Sequence, residues 1–248
     1  MVRNRVLAPL SLLLLAGAIV MMFFVILSGV TRTSPLDDTY FLRADTSGIT
    51  GARPTTQWTY LYVCSPGNVN CGGAWPDPPV GWAWDRDPRN APLGLVGSRG
   101  GGTTSSYYFY MWRFGWVFYL LGLFFTVIAF FIGFLACLGR LGSAISGLTS
   151  LTALFFFTLA ASLMTATFVK MRNEFRSAGR SASIGRYAFG FTWAALTCLI
   201  IATVLFFLGW LGAKRDSGYT GGRFRRKRSV PSRPSYDAGG HRVKDDYA

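Results

Sequence analysis

The chain has 248 residues, 51% of them hydrophobic and only 15% charged, against about 25% charged in an ordinary soluble domain. Lys and Arg outnumber Asp and Glu 25 to 11, a net charge of +14, and there is a single histidine, His241. With the apolar residues gathered into four long blocks, this excludes a soluble enzyme, a secreted disulfide-rich domain, a disordered chain and any catalyst that clusters histidines around a metal.

Residues 1–5 are a short basic start carrying Arg3 and Arg5. The first apolar block covers 6–30; a bilayer takes about 20 apolar residues in a helix. Ala16-Gly17-Ala18 mimics a signal-peptide cleavage site, but the apolar run continues through Met21, Phe23, Val25 and Leu27. Signal cores run about 7–15 residues, so the block reads as a retained span.

A loop of 81 residues, 31–111, follows. In it Trp58-Thr59-Tyr60-Leu61-Tyr62-Val63-Cys64 has strand propensity and alternation, which would put Trp58, Tyr60, Tyr62 and Cys64 on one face. Ser65-Pro66-Gly67-Asn68 separates Cys64 from the region of Cys71. Pro then Gly suits the centre of a type II turn, whose second central residue needs positive φ. The simplest reading is a hairpin with a Cys64–Cys71 disulfide across it, the alternative being two free thiols in a cytosolic loop. A disulfide persists outside the cell or in the secretory lumen, so the loop is expected to face out. The rest of the loop is rich in Trp, Pro and Gly, with Trp75, Trp82 and Trp84. These rings are expected to pack a small domain against the membrane surface, with glycan or partner binding as the other use. There is no Asn-x-Ser/Thr glycosylation acceptor.

Span two is expected at 112–138 and span three at 143–169, joined by a turn at 139–142 that forces an antiparallel hairpin. A second loop, 170–187, leads to span four at 188–212, and a Gly-, Ser-, Pro- and Arg-rich tail, 213–248, reads as disordered. The spans contain no Asp, Glu or Lys, and their one Arg, Arg113, sits at an edge; pumps and coupled transporters usually keep an ionisable group at membrane depth. Tyr107, Tyr108, Tyr110 and Trp112 resemble an interfacial aromatic belt. Gly115, Gly122, Gly133, Gly190 and Ala194 are expected to pack helices inside the bundle, lateral self-association being their other use. Thr158, Ser162 and Thr165 are read as hydrogen-bonding between helices. Cys137, beside Arg140, is a candidate palmitoylation site, although a small apolar packing role suits it better, and Cys198 is expected to be inert.

Orientation is nearly balanced by charge. The side holding both termini has 13 Lys and Arg and the other side 12. The long loop is discounted because long loops cross regardless of charge, and its six Arg are matched by six Asp. The 170–187 loop, with five Lys or Arg against Glu174, opposes a cytoplasmic placement of the termini. Arg3, Arg5, the tail and the cysteine pair favour it. In the tail, Arg223-Phe224-Arg225-Arg226-Lys227-Arg228 concentrates five cations, with Lys214 and Arg215 nearer the membrane. Beside an anionic leaflet each cation contributes about 1 kcal/mol. The expected partners are therefore anionic lipids or phosphoinositides and not nucleic acid. Ser229 directly follows the run, and phosphorylation there would offset part of that attraction. No cofactor is implied.

The span order, the long first loop and Trp-x5-Cys with a second Cys soon after (Trp58, Cys64, Cys71) resemble the claudin-like superfamily. The Trp-Thr-Tyr-x-Tyr-x-Cys string, carrying Tyr60 and Tyr62, is most similar to the fungal Sur-seven/PalI family. The resemblance covers about residues 6–212. It implies an all-α transmembrane four-helix bundle with a small, disulfide-bonded, partly β extracellular loop domain. It also implies a non-enzymatic plasma-membrane protein of eisosomes, membrane furrows with a cytosolic scaffold beneath, linked to membrane organisation, endocytosis and cell-wall integrity. Scaffold proteins and other copies of the chain are the implied partners. The PalI branch implies instead an accessory role in ambient-pH signalling.

Overall fold

The computed structural model describes residues 2–85, 87–136 and 140–220, and for 2–6, 140 and 212–220 the backbone alone. Four long helices dominate it: α1 (Val2–Ile26), α2 (Ser106–Ala136), α3 (Arg140–Ser177) and α4 (Arg186–Thr220). Each contains a stretch long and apolar enough to cross a membrane. Helices are the solution here because lipid offers no partner for a backbone N–H or C=O, so each must be satisfied within its own segment. α2 packs along α3 and α1 along α4, while α3–α4 and α1–α2 seams close the ring. Gly142, in the first turn of α3, lies against the backbone of Leu135 and Ala136 with no room for a Cβ. That close approach is what lets α2 and α3 turn back on each other immediately.

Hydrophobicity does not separate the inner from the outer face of these helices, because lipid tails are as apolar as a protein core. Size does. Along α2 the buried positions recur at three- and four-residue intervals and include Gly115, Gly122, Ala129, Gly133 and Ala136, while Phe114, Phe124, Phe131 and Phe134 are exposed. Small residues inside let helix backbones approach: a Cβ on Gly122 would sit 2.9 Å from that of Phe157 in α3, and one on Gly133 would meet Leu12 of α1. Thus Gly115, Gly122 and Gly133 pack the bundle, as their spacing predicts. Gly190 and Ala194 do not. Both are exposed on α4, and a Cβ on Gly190 would meet nothing.

The hydrogen-bonding expected of Thr158, Ser162 and Thr165 is also corrected. The hydroxyls of Thr158 and Thr165 donate to the carbonyls of Leu154 and Ala161 in their own helix, and Ser162 is exposed. A hydroxyl on the lipid side has no neighbouring helix to reach, so it bonds back to the preceding turn. The cross-helix bond is made instead by Ser150 and Thr203, buried between α3 and α4 at 2.6 Å.

At one end of the bundle sits a lobe built on an antiparallel sheet of order β3-β2-β1-β4. Its strands are β1 (Leu42–Asp45), β2 (Thr55–Trp58), β3 (Val63–Cys64) and β4 (Ala182–Ile184). The first three come from the long loop. The fourth comes from the segment between α3 and α4 and pairs Leu42 with Ile184, so both loops build a single sheet. The segment expected as a loop over 170–187 is largely structured: α3 runs on to Ser177, burying Met171 and Phe175 completely against the lobe. The polar residues that end the apolar block mark where the helix leaves the membrane, not where it stops.

Candidate functional site: the disulfide lobe and its seat on the bundle

The Trp58–Cys64 string does not form one strand. β2 ends at Trp58, the chain reverses over Thr59–Tyr62, and β3 returns with Val63 opposite Trp58 and Cys64 opposite Gln57. The reversal is closed by the Thr59 N–H and hydroxyl, both donating to the Tyr62 carbonyl at 2.9 and 3.1 Å. Alternation is lost at the turn, so the expected single face of Trp58, Tyr60, Tyr62 and Cys64 is replaced by separate placements. The driving force is the burial of Tyr60, which at the tip of the hairpin is fully enclosed by the top of the bundle.

Tyr60 is the anchor. Its hydroxyl donates to the Trp116 carbonyl at 2.8 Å, and the Trp116 indole N–H donates back to the Tyr60 carbonyl at 3.3 Å. The two rings stack at 5.4 Å and 22°, and the Tyr119 ring is tilted against Tyr60 at 5.4 Å and 55°. Burial pushes the Tyr60 phenol well above its ordinary pKa, and Tyr119 adds to this, so it stays a neutral donor. The backbone N–H of Tyr60 donates to Ser28 at the end of α1. Gly29, at φ +86°, lets that end of the chain pass against Thr59 and Tyr62, which a Cβ would meet at 3.1 Å. Trp58 is buried, donates its indole N–H to the Val80 carbonyl at 3.4 Å, and lies against Phe175 of α3.

Cys64 and Cys71 form the disulfide. The Pro66-Gly67 turn exists as a smaller feature inside it: Ser65 N–H bonds to the Val69 carbonyl and Gly67 has φ +77°. This turn positions a buried polar network that no local pattern announces. The Asn68 side-chain amide donates to the carbonyls of Leu36 and Thr39 at 2.7 and 3.1 Å and accepts from Gln57 at 3.2 Å. The Gln57 side-chain oxygen accepts in turn from Gly67 N–H and from the Arg43 guanidinium. A second missed pair joins the lobe to α2: Arg113 donates to Asp77 at 2.6 Å and lies over Phe109. Burial raises the Asp77 carboxyl pKa despite that guanidinium, which pulls it down.

The cations of the 170–187 segment, which oppose the expected orientation by charge counting, have local structural duties. Arg176 donates to the Ala182 carbonyl; Arg180 donates to those of Ser47 and Asn90; the Lys170 ammonium donates to the Tyr107 hydroxyl. Among the described residues there is no cluster of His, Cys, Asp or Glu that would hold a metal. Lys214 and Arg215 belong to α4 by backbone. Arg223, Phe224, Arg225, Arg226, Lys227, Arg228, Ser229 and Cys137 lie outside the described residues.

Four membrane-crossing helices capped by a disulfide-bonded lobe built from both loops define a multi-pass membrane protein. The model of the SUR7/PalI family matches residues 7–205, and the chain belongs to that family of non-enzymatic membrane proteins. It is 34% identical over 209 residues to the SUR7 family protein FMP45 of Saccharomyces cerevisiae, a match covering 82% of this chain and 66% of that one. It is 35% identical over 205 residues to protein SUR7 of Candida albicans, covering 80% and 72%. To an uncharacterized plasma membrane protein of Saccharomyces cerevisiae it is 30% identical over 208 residues, covering 79% and 65%. The chain thus spans about two-thirds of the length of these relatives.

Proposed function

We propose that this protein is a non-enzymatic organiser of a plasma-membrane domain of the eisosome type, with both termini cytoplasmic and the disulfide lobe outside. The observation that carries the reading is family membership over nearly the whole span region, with a relative described as a plasma membrane protein. The orientation is supported by the disulfide, which persists in an oxidising compartment, and by Arg3, Arg5 and the tail cations on the opposite side. The loop cations weigh less against it once their bonds within the lobe are counted. Confinement would use two devices. One is the exposed Gly190 and Ala194 face of α4, which offers a second copy a close backbone approach. The other is the basic run of the tail, held against anionic lipids or phosphoinositides and the cytosolic scaffold.

Imaging the tagged full-length chain in living cells tests the reading. The expected result is stable cortical patches that coincide with the scaffold. An even or endosomal distribution would sink it and turn attention to the pH-signalling alternative. Doubling the bulk of the α4 face with Gly190→Leu and Ala194→Leu should lower cross-linked dimer recovery in membranes without lowering the yield of folded monomer.

A further inference from the structure

The turn after α1, the edge of the sheet and the first turn of α4 meet in a cleft of about 330 Å³, within the range of small-molecule sites. It lies where α4 enters the membrane: the apolar stretch of that helix begins at Arg186, and Arg186 and Tyr187 line the cleft. Gly185 sets the junction. It lies against the Tyr40 carbonyl with no room for a Cβ, and its N–H donates to the Phe41 carbonyl at 3.1 Å. The start of α4 is thereby pressed against the chain entering β1. Arg43 and Ser183, also in the lining, are paired across β1 and β4, which puts their side chains on one face of the sheet. Asp38 lines the cleft from the turn that the Asn68 amide holds through Leu36 and Thr39.

The Arg43 guanidinium lies over the Tyr40 ring, 4.6 Å from its centroid, and donates through Nε to Gln57, which fixes it and leaves the two Nη groups for a ligand. Asp38 and Arg186 are exposed. Among the described residues neither the Asp38 carboxylate nor the Arg186 guanidinium forms a hydrogen bond or an ion pair, although both line one cleft. Tyr187 is 50% exposed, with its ring against Phe191. Below it the exposed surface of α4 is apolar and carries Trp193, Ile200 and Ile201.

We propose that this cleft holds the phosphodiester headgroup of a membrane lipid, of the kind whose distal end carries N–H or O–H donors. The two unesterified oxygens of a phosphodiester match the paired donors of a guanidinium, and Arg43 and Arg186 both supply such donors. The Asp38 carboxylate accepts from the ammonium or hydroxyls at the far end of the headgroup. A choline end has no donor to offer it. The acyl chains then run beside the apolar surface of α4, and this position at the membrane edge selects a lipid over a free anion. The cleft lies at the opposite end of α4 from the basic tail and uses none of its cations. It does not depend on which compartment the lobe faces.

The test uses the full chain in detergent, titrated with short-chain phosphatidylethanolamine, phosphatidylglycerol and phosphatidylcholine and followed by native mass spectrometry. One saturable adduct is expected with the first two, at least about fivefold tighter than with the third. Arg186→Gln should weaken binding about tenfold, the loss of a charge-assisted pair. Asp38→Asn should erase the preference over phosphatidylcholine, whereas a loss of structure would weaken all three lipids alike. Arg172→Gln, on the α3 extension and outside the cleft, should bind as the wild type does. So should the chain with Arg223, Arg225, Arg226, Lys227 and Arg228 converted to Gln. Melting curves confirm that each variant is folded. A second arm replaces the lipids with glycerophosphoethanolamine and inorganic phosphate, which are expected to bind at least about tenfold more weakly because they bury no acyl chain. The proposal is overturned by absence of saturation, by equal binding of the three lipids, by unchanged binding in Arg186→Gln or by loss of binding in the tail variant. Inorganic phosphate binding as tightly as lipid overturns it too. None of these outcomes bears on cortical patches, so the domain-organiser reading is tested separately.

Discussion

Tyr60 shows how much a single side chain does at the junction of lobe and membrane. Its phenol is enclosed, bonded to the Trp116 carbonyl and stacked on the Trp116 ring. Removing only the hydroxyl with Tyr60→Phe takes away a second bond to a carbonyl that α2 already pairs within the helix, a loss of about 0.5–1.5 kcal/mol. The expected outcome is a lower melting temperature in detergent with the fold retained, whereas Tyr60→Ala, which also opens a cavity, should cost about 3–5 kcal/mol. Asp77 gives a prediction in pH. Its folded carboxyl pKa is raised, with burial the largest cause, so folding favours the protonated form. The stability Asp77 contributes is fullest below the ordinary carboxyl range and is lost as pH rises through the raised value. Melting of wild type against Asp77→Asn, followed upward from about pH 4, near the free carboxyl value, should show the wild type losing ground to the variant. A constant difference between the two would contradict the assignment of this titration to Asp77.

At the scale of elements, the lobe is held by a hairpin, a disulfide and the protruding end of α3. Closing the short Cys64–Cys71 loop contributes roughly 2–3 kcal/mol in the loop-entropy account. Non-reducing peptide mapping should recover the two cysteines linked. Cys64→Ser is expected to lower stability by about that amount and to hold the protein in the secretory pathway, read by its failure to reach the cell surface. The α3 extension predicts a second effect. Phe175 is fully buried against Trp58, so Phe175→Ala should destabilise the lobe by about 3–5 kcal/mol. Because Phe175 lies beyond the apolar core of the helix, protease sensitivity should rise in the lobe and not in the spans. The apolar blocks alone gave no reason to expect this. Their ends are read from polarity, and a helix that leaves lipid into a folded lobe keeps its hydrogen bonds while its composition turns polar.

At the scale of the whole molecule, the basic tail is expected to tune how the bundle is confined. Converting Arg223, Arg225, Arg226, Lys227 and Arg228 to Gln should leave insertion intact, because Arg3 and Arg5 still orient the first span. It removes up to roughly 5 kcal/mol of attraction to an anionic leaflet, less after salt screening. Fluorescence recovery should be faster for this variant, and intermediate for Ser229→Asp. Equal recovery of all three proteins would leave the tail a topogenic signal only and assign confinement to the spans or the lobe.

Four spans, the antiparallel pairing of spans two and three, the bonded cysteines and the family were all determined by the sequence itself, because each rests on local information. Twenty apolar residues have few places to go but a bilayer, and a four-residue connection admits only a hairpin. The Trp58 to Cys71 string is compact enough to be recognised. Only the tertiary structure decided where the string turns, since a hairpin at Thr59–Tyr62 is favoured by the pocket that α2 offers Tyr60 and not by the turn residues. It alone brought β4 from beyond α3 to the edge of β1, joined Asn68 to Leu36 and Thr39, and paired Asp77 with Arg113. It also decided which small residues face inward. Hydrophobicity cannot tell lipid from core, so Gly122 and Gly190 look alike in sequence, and only the packing of one against Phe157 distinguishes them.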